Sequence, residues 1–348
     1  MFATLMMLTL LAQAPAPAQR ASRTAAPDAL QLQVALDRAG FSPGTIDGRT
    51  GANTRKALEA FKAQGGDPAA NPVPALTKYS ITPEDAAGPF VDDIPSDLME
   101  QSKLPAMGYR NVLELLSERF HSSPALLQRL NPSAKFAAGE EIEVPNVDPL
   151  IDPAASNANA PAKTDAAATK TDRAAKQDPA AKPDPAAKPD PATKPNAAAK
   201  KAPAAAEKAA KPDVVVTVSK ASSALSVKDA DGRVVFYAPV TTGSERDPLP
   251  IGEWKVTGVQ VKPTFRYNPD LFWDADPTHS KAEIKPGPNN PVGLVWVDIS
   301  KEHYGLHGTP EPATIGRTQS HGCVRLTNWD AVKLGSLVKP GTRVVFTE

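Results

Sequence analysis

The chain of 348 residues is long enough for two or three domains. Its 39 Lys and Arg balance its 39 Asp and Glu, so no net basic field indicates nucleic acid as a partner. Aromatic residues make up only 5% of the chain and prolines number 37, which predicts that a long part of it lacks a packed core.

The first twelve residues form an apolar run that is too short to cross a membrane as a helix. The run has the length of a secretory signal core, and Ala16-Pro17-Ala18 offers a small-x-small cleavage site. We therefore predict a signal peptide at 1–18, although no Lys or Arg precedes the run. No later stretch is a candidate membrane span, so no transmembrane anchor is expected after cleavage.

Residues 28–66 have the pattern of a small helical domain. Leu32 and Leu36 recur at helical spacing, and Asn53 or Thr54 is predicted to cap a second helix. The matching residues are Gly40-Phe41-Ser42-Pro43-Gly44-Thr45-Ile46-Asp47-Gly48, then Thr54, Ala57, Leu58 and Phe61. This pattern resembles a peptidoglycan-binding domain of the type 1 family. A generic helical hairpin is the alternative interpretation.

Residues 105–147 are predicted to form a second compact module. One apolar helical stripe contains Val112, Leu115, Leu116 and Phe120. Ser123-Pro124 begins another helix, Asn131-Pro132 ends it, and residues 139–145 have the character of a strand. The arrangement resembles a LysM-like α+β module, which implies binding to the glycan strands of peptidoglycan.

Residues 150–212 differ from the rest of the chain in composition. Ala, Pro, Lys and Asp dominate, and short repeats such as Ala181-Lys182-Pro183-Asp184-Pro185 recur. Large apolar residues are nearly absent, so we predict a long disordered linker.

Residues 213–348 are predicted to be mainly β. Strand character appears at 214–219, 224–228, 233–240, 252–260, 293–299 and 342–347. One helix is expected to begin near Thr327 or Asn328 and to end near Val338. We expect a mixed sheet or sandwich in which His307 ends a strand and Cys323 lies on a loop beside it.

The single cysteine of the chain, Cys323, is a candidate nucleophile because His307 lies sixteen residues upstream of it. The imidazole would take the thiol proton, and the N–H groups of Gly322 and Cys323 would bind the developing oxyanion. Two alternatives remain. Cys323 would be an ordinary buried apolar residue in the first. The second is a zinc site, whose candidate ligands are His303, His307, His321 and Cys323.

The C-terminal third resembles the YkuD-type L,D-transpeptidase catalytic domain. The resemblance is carried by His307-Gly308-Thr309, Ile315-Gly316, Ser320 through Leu326, Asn328, Asp330, Gly341-Thr342 and the run Gly287-Pro288-Asn289-Asn290-Pro291-Val292-Gly293. It implies a reaction in which a cysteine attacks the third residue of a peptidoglycan stem, releases the terminal D-Ala and passes the acyl group to an amine.

Carried over residue by residue, the resemblance implies that Cys323 is the nucleophile, His307 the proton donor and acceptor, and the Gly308 carbonyl its orienting group. Gly322 falls at the oxyanion hole. The candidate substrate contacts are Ser320, Tyr304, His321 and Arg325. A purely structural role for His321 and a structural ion pair for Arg325 are the alternatives.

Three functions are compatible with this sequence. The first is an exported L,D-transpeptidase of the periplasm or cell envelope whose partners are stem peptides and glycan strands, with no metal or other cofactor. The second uses water as the acceptor, which gives an L,D-carboxypeptidase or cross-link hydrolase, and the third is a catalytically idle wall-binding protein. Because every chemically suggestive residue follows the linker, we expect independent modules on a flexible tether.

Overall fold

The computed structural model describes residues 28–70, 72–152, 211 and 213–348 of the chain. The predicted signal peptide at 1–18 lies outside the described residues, as does most of the predicted linker at 150–212. Among the helices that the structure describes, none is long and apolar enough to cross a membrane.

The N-terminal part consists of short helices and one pair of strands. Its elements are α1 (Ala29–Arg38), α2 (Ala52–Ala63), β1 (Leu76–Ser80), α3 (Pro83–Ala87), α4 (Leu98–Gln101), α5 (Val112–Arg119), α6 (Pro124–Leu130) and β2 (Glu141–Pro145). The side chain of Asp28 caps α1. Gly51 occupies the cap position of α2, so the predicted caps Asn53 and Thr54 lie inside that helix. The buried Thr54 hydroxyl instead accepts a hydrogen bond from Gln33 of α1.

Strands β1 and β2 pair antiparallel, with Leu76 opposite Pro145 and Ser80 opposite Glu141. Helices α5 and α6 lie between the two strands in the sequence. Strand β2 falls inside the predicted module at 105–147, whereas its partner β1 lies well upstream. That predicted range is therefore too short to contain the whole sheet, and the LysM-like assignment stays a prediction.

The two predicted N-terminal modules share one apolar core. Its buried members are Val34, Ile46, Ile81, Leu116, Phe120, Leu126, Leu127, Ile142, Val144 and Val147. Val34 belongs to α1, whereas Leu116 belongs to α5, so side chains from both modules are removed from water together. The described residues between 28 and 152 therefore share one core, and we call them the N-terminal unit.

The C-terminal part is built on one curled sheet. Its elements are β3 (Val215–Ser219), β4 (Ala224–Lys228), β5 (Val234–Pro239), β6 (Gly252–Val261), β7 (Phe265–Tyr267), β8 (Ala282–Ile284), β9 (Val295–Ile299), β10 (Gly305–His307), β11 (Val324–Arg325), α7 (Asn328–Leu337) and β12 (Arg343–Thr347). Eight of the described strands form the sheet in the order β11-β10-β9-β6-β12-β3-β4-β5, while β7 and β8 pair only with each other.

The sheet is mixed, because β10 pairs with β11 and β12 pairs with β3 in parallel while the other neighbours are antiparallel. Alternating β-branched residues supply its buried face, as in β3, where Val216 and Val218 are buried. Helix α7 packs on this face with Ala331 and Leu334, and it begins at Asn328, close to the predicted start. The Thr327 side chain caps its first turn.

The N-terminal unit docks directly on the C-terminal part. Phe41 stacks on Tyr237 of β5 with ring centroids 6.2 Å apart, and the Ser42 hydroxyl donates to Asp330 of α7 at 3.0 Å. Further along, Asn328 of α7 donates to Glu118 of α5 at 2.9 Å. The prediction of independent modules on a tether is therefore wrong, because these contacts join residues that lie hundreds of positions apart and no local pattern encodes them.

Candidate active site

The two predicted catalytic side chains come from neighbouring strands. His307 is the last residue of β10, and Cys323 directly precedes β11. The strands are parallel, with Leu306 opposite Val324 and His307 opposite Arg325. Both candidate residues line the same groove. The structure thus brings together the pair that the sequence analysis singled out, while their catalytic roles stay a prediction.

Two contacts fix the ring of His307. Its Nδ1 lies 2.7 Å from the carbonyl oxygen of Gly308, which can only accept, so Nδ1 carries the proton and donates it. The Trp296 ring stacks on the imidazole with centroids 5.2 Å apart. Burial lowers the pKa of His307 to about 4, so the ring is neutral at pH 7. Nε2 is then the unprotonated nitrogen, as a general base requires.

The thiol of Cys323 is also neutral. It is half-buried, and its Sγ donates weakly to the carbonyl oxygen of His303 at 3.8 Å. Burial raises the pKa of Cys323 to about 11, against the opposing influence of nearby Arg325. A neutral thiol and a neutral imidazole therefore line the same groove, and proton transfer must accompany nucleophilic attack.

We expect the alkylation rate of Cys323 by iodoacetamide to rise through neutral pH and to level off only near pH 11. The reason is that the thiolate fraction keeps increasing until the pH passes the raised pKa of the thiol. Intact-mass analysis of the full chain between pH 5 and pH 11.5 measures this rate. A plateau already reached below pH 8 would instead indicate a preformed thiolate–imidazolium pair.

The loop before Cys323 has a conformation that glycine favours. Gly322 has a φ of +97°, and a Cβ at this position would lie 2.5 Å from the Tyr304 ring. Tyr304 therefore packs directly against the candidate oxyanion-hole residue. The buried Ser320 hydroxyl donates to the carbonyl oxygen of Cys323 at 2.6 Å and holds the loop. Ser320 also lines the groove, and its role as a substrate contact stays a prediction.

Arg325 and His321, the other predicted substrate contacts, both line the groove. Among the described residues, no carboxylate forms a direct ion pair with the Arg325 guanidinium, although Glu311 and Asp274 act on its charge from further away. Burial lowers the pKa of Arg325 from its usual value. His321 has a partner, because its Nε2 lies 2.7 Å from Asp274 Oδ1.

The side chains of Cys323, His307, His321 and Arg325 line a groove of about 1360 Å³. One wall is the flap, which we define as residues 265–284 with strands β7 and β8 at its base. Asp274 ties the flap to His321, and the Phe272 ring meets the His321 ring edge-on at 5.1 Å. At the other side of the flap, His279 Nε2 lies 3.0 Å from Asp97, the residue that caps α4 of the N-terminal unit.

Sequence reasoning missed Trp296, Asp274 and the flap as parts of the site. The density of aromatic residues between Phe265 and Trp273 was an available signal, since aromatic side chains on a connecting segment often contact ligands. The stacking of Trp296 on His307 had no such signal, because it depends on the pairing of β9 with β10.

The zinc interpretation required His303, His307, His321 and Cys323 to converge. In the part of the chain that the structure describes, no group of three or more His, Cys, Asp or Glu side chains is arranged to hold a metal ion. His307 and His321 instead contact Gly308 and Asp274, respectively.

Comparisons with known families match two parts of the chain. Residues 213–346 match the family described as YkuD, L,D-transpeptidase catalytic domain. Residues 25–68 match a putative peptidoglycan binding domain. The second match covers the helical domain that was predicted at 28–66.

Several bacterial proteins are similar in sequence to the C-terminal part. The putative L,D-transpeptidase YqjB of Bacillus subtilis is 32% identical over 142 residues, which cover 39% of this chain and 72% of YqjB. The putative L,D-transpeptidase YkuD of Bacillus licheniformis is 48% identical over 63 residues, which cover 18% of this chain and 38% of that protein. The probable L,D-transpeptidase YbiS of Escherichia coli is 32% identical over 145 residues, 39% of this chain and 46% of YbiS. The matched part of this chain thus spans less than half of the length of the last two relatives.

Among solved structures, the chain matches an L,D-transpeptidase from Mycobacterium smegmatis, with 18% identity and a TM-score of 0.33. That match covers 39% of this chain and 59% of the other. L,D-transpeptidase 3 from Mycobacterium tuberculosis, in complex with a faropenem-derived adduct, has 20% identity and a TM-score of 0.33. Here the coverage is 39% of this chain and 61% of the other.

Proposed function

Because the chain belongs to the L,D-transpeptidase family of the YkuD type, we propose that it is an exported cysteine acyltransferase of the cell envelope that cross-links peptidoglycan. The donor is a stem tetrapeptide, and the acceptor is an amine of a second stem. One observation carries the proposal. The hydrogen bond from His307 Nδ1 to the Gly308 carbonyl leaves Nε2 free to accept a proton in the groove that also holds the thiol of Cys323.

In the first half-reaction, His307 Nε2 accepts the Cys323 proton as Sγ attacks the carbonyl carbon of the third stem residue. The carbonyl π electrons move to oxygen, and the N–H groups of Gly322 and Cys323 stabilise this oxyanion. The tetrahedral intermediate then collapses and its C–N bond breaks. The leaving amine of D-Ala takes the proton from His307, which leaves a thioester on Cys323.

In the second half-reaction, an amine of another stem attacks the thioester carbon. His307 accepts a proton from the attacking nitrogen and returns it to the departing sulfur. A new amide bond replaces the thioester bond, and the neutral pair of thiol and imidazole is restored. The neutral resting state supports this cycle, because His307 must accept and release one proton in each half.

Substrate recognition falls to the groove walls. Arg325 lacks a carboxylate partner among the described residues and lies beside Cys323, so its guanidinium is placed to pair with a stem carboxylate. Tyr304 and His321 line the same groove as Cys323, so both are placed to contact a bound stem. The peptidoglycan-binding match at 25–68 supports a glycan-binding role for the N-terminal unit.

The test is incubation of the full chain with purified tetrapeptide muropeptides, followed by mass analysis. We expect a cross-linked dimer whose mass equals two monomers minus one D-Ala, with one D-Ala released per cross-link. Accumulation of tripeptide monomer alone would show that water is the acceptor, which gives the carboxypeptidase. If neither product forms, the proposed catalytic function is wrong and the wall-binding alternative gains support.

A further inference from the structure

A buried carboxyl group lies at the contact between the N-terminal unit and the C-terminal part. Glu118, in the last turn of α5, is only 6% exposed. Its two carboxyl oxygens lie 2.9 and 3.0 Å from Asn328 Nδ2, at the first position of α7. The hydroxyl of Tyr109 donates to the same carboxyl at 3.3 Å. The proposed mechanism does not use this group.

The other end of Asn328 reaches the backbone that carries the candidate base. Asn328 Oδ1 accepts the backbone N–H of Leu294 at 3.0 Å. The same oxygen fills the space beside Gly293 and Gly308, where an added Cβ would lie 2.1 and 2.3 Å from it. The carbonyl of Gly308 is the group that accepts the Nδ1 proton of His307.

A continuous series of contacts therefore runs from α5 to the active site. The Glu118 carboxyl holds the amide nitrogen of Asn328 and, together with the Leu294 N–H, keeps Oδ1 against Gly308. Asn328 Nδ2 also donates to the Pro288 carbonyl at 3.1 Å, so both of its protons are used when Glu118 is in place. Without Glu118, one Nδ2 proton of Asn328 would be unpaired in a buried site, and the amide would be held only by its contacts with Leu294 and Pro288.

We propose that Glu118 of the N-terminal unit is a positioning residue for His307 and acts through Asn328, so that docking of the N-terminal unit completes the catalytic centre. The inference rests on the proposed acyl transfer by Cys323 and His307. It adds that docking of the N-terminal unit controls the rate of that reaction. A contact that only stabilises the fold would leave turnover unchanged when Glu118 is replaced. The positioning role predicts instead that an apolar replacement lowers turnover and that a neutral residue of the same shape preserves it.

Glutamine is a suitable isostere here. Gln keeps the length and planar shape of Glu118, and its Oε1 can accept from Asn328 Nδ2 as the carboxyl does. Burial raises the pKa of Glu118 to about 8, so the neutral amide also avoids a large change of charge near pH 7. The charged group that faces it from its own helix is Glu114, which is paired with Arg110. The groups that face it from the preceding segment and from α7 are the Tyr109 hydroxyl and the Asn328 amide.

The experiment compares full-length Glu118→Gln, Glu118→Leu and Glu118→Asp with the wild type, and uses Glu143→Leu as a control. Glu143 is exposed on β2 of the same unit. Aspartate retracts the carboxyl by one methylene and serves as the mild variant if leucine prevents folding. Two readouts are measured, namely kcat and KM on soluble muropeptides and the rate of Cys323 alkylation by iodoacetamide at pH 7 and pH 11.

We expect Glu118→Leu to lower kcat about tenfold or more, because small misplacements of a catalytic group cost large factors. KM should change less than twofold, Glu118→Asp should fall between leucine and the wild type, and Glu118→Gln and the control should keep the wild-type values. Alkylation should slow in Glu118→Leu at pH 7, where a well-placed His307 takes the thiol proton during attack and so adds to the rate that the small thiolate fraction supplies. It should match the wild type at pH 11, where the thiolate forms without the base.

The proposal is overturned if Glu118→Leu is folded and keeps wild-type kcat and alkylation, or if Glu118→Gln is as impaired as Glu118→Leu. It is also overturned if the effects of Glu118→Leu and Asn328→Ala simply add in the double variant, since residues that act through one another are not additive. A wild type without muropeptide turnover would refute the proposed function, and the alkylation rates at the two pH values would still decide the role of Glu118.

Discussion

Replacement of Cys323 by alanine is expected to lower acyl transfer by about four orders of magnitude or more, to the floor of the assay. The chain has one cysteine, so no second thiol can form the thioester. The substitution removes one half-buried sulfur, whose contact with the His303 carbonyl is long and weak, and the fold should tolerate it. Release of D-Ala from soluble tetrapeptide muropeptides measures the loss, and circular dichroism checks the fold.

His307→Gln is the companion variant, which tests the proposed base separately from the nucleophile. This variant keeps a side chain of similar size under Trp296 but lacks a basic nitrogen, so it should be similarly damaged in turnover. It should differ from Cys323→Ala in one respect, because its thiol should still be alkylated at pH 11. Cross-linked product from Cys323→Ala would show that the nucleophile is assigned wrongly.

The chemistry of the site could be predicted from the sequence because its main residues are close in the chain. Cys323 and His307 lie in one short glycine-rich span, and β10 and β11 bring them together as parallel neighbours. The environment that sets their protonation could not be predicted. The pKa shifts of both groups arise from burial, which depends on the flap, on Trp296 and on the curvature of the whole sheet.

The fold was likewise predictable where it depends on neighbouring residues and unpredictable where it depends on contacts between distant segments. Strand character in the sequence placed most strands of the sheet correctly, and the predicted limits of α7 agree with the observed helix within about one residue. The pairing of β1 with β2 and the shared core of the N-terminal unit escaped prediction, because both join segments that are far apart in the chain. A Pro- and Ala-rich stretch also gave a misleading expectation of independence, since linker composition says nothing about whether the flanking units make contact.

The full chain is expected to unfold in one cooperative transition, and Phe41→Ala is expected to lower the free energy of unfolding by about 3–5 kcal/mol. Phe41 is 4% exposed and packs between Phe61 of α2 and Tyr237 of β5, so its ring belongs to both parts of the molecule. Differential scanning calorimetry of the wild type and the variant measures the effect. Trp273→Ala is the control, because that ring is 54% exposed and its truncation should shift the midpoint only slightly.

The same contacts predict the behaviour of the isolated fragment 213–348. Removal of the N-terminal unit exposes Tyr237, Trp329 and the buried Asp330 to water, and it leaves Asn328 without Glu118. The fragment should therefore melt at a lower temperature than the full chain and turn over soluble muropeptides at least about tenfold more slowly, because the support behind His307 is incomplete. Two separate calorimetric transitions in the full chain, together with wild-type turnover by the fragment, would contradict this. The independent modules that the sequence suggested would then describe the protein better, and the contacts of α7 with the N-terminal unit would have no part in catalysis.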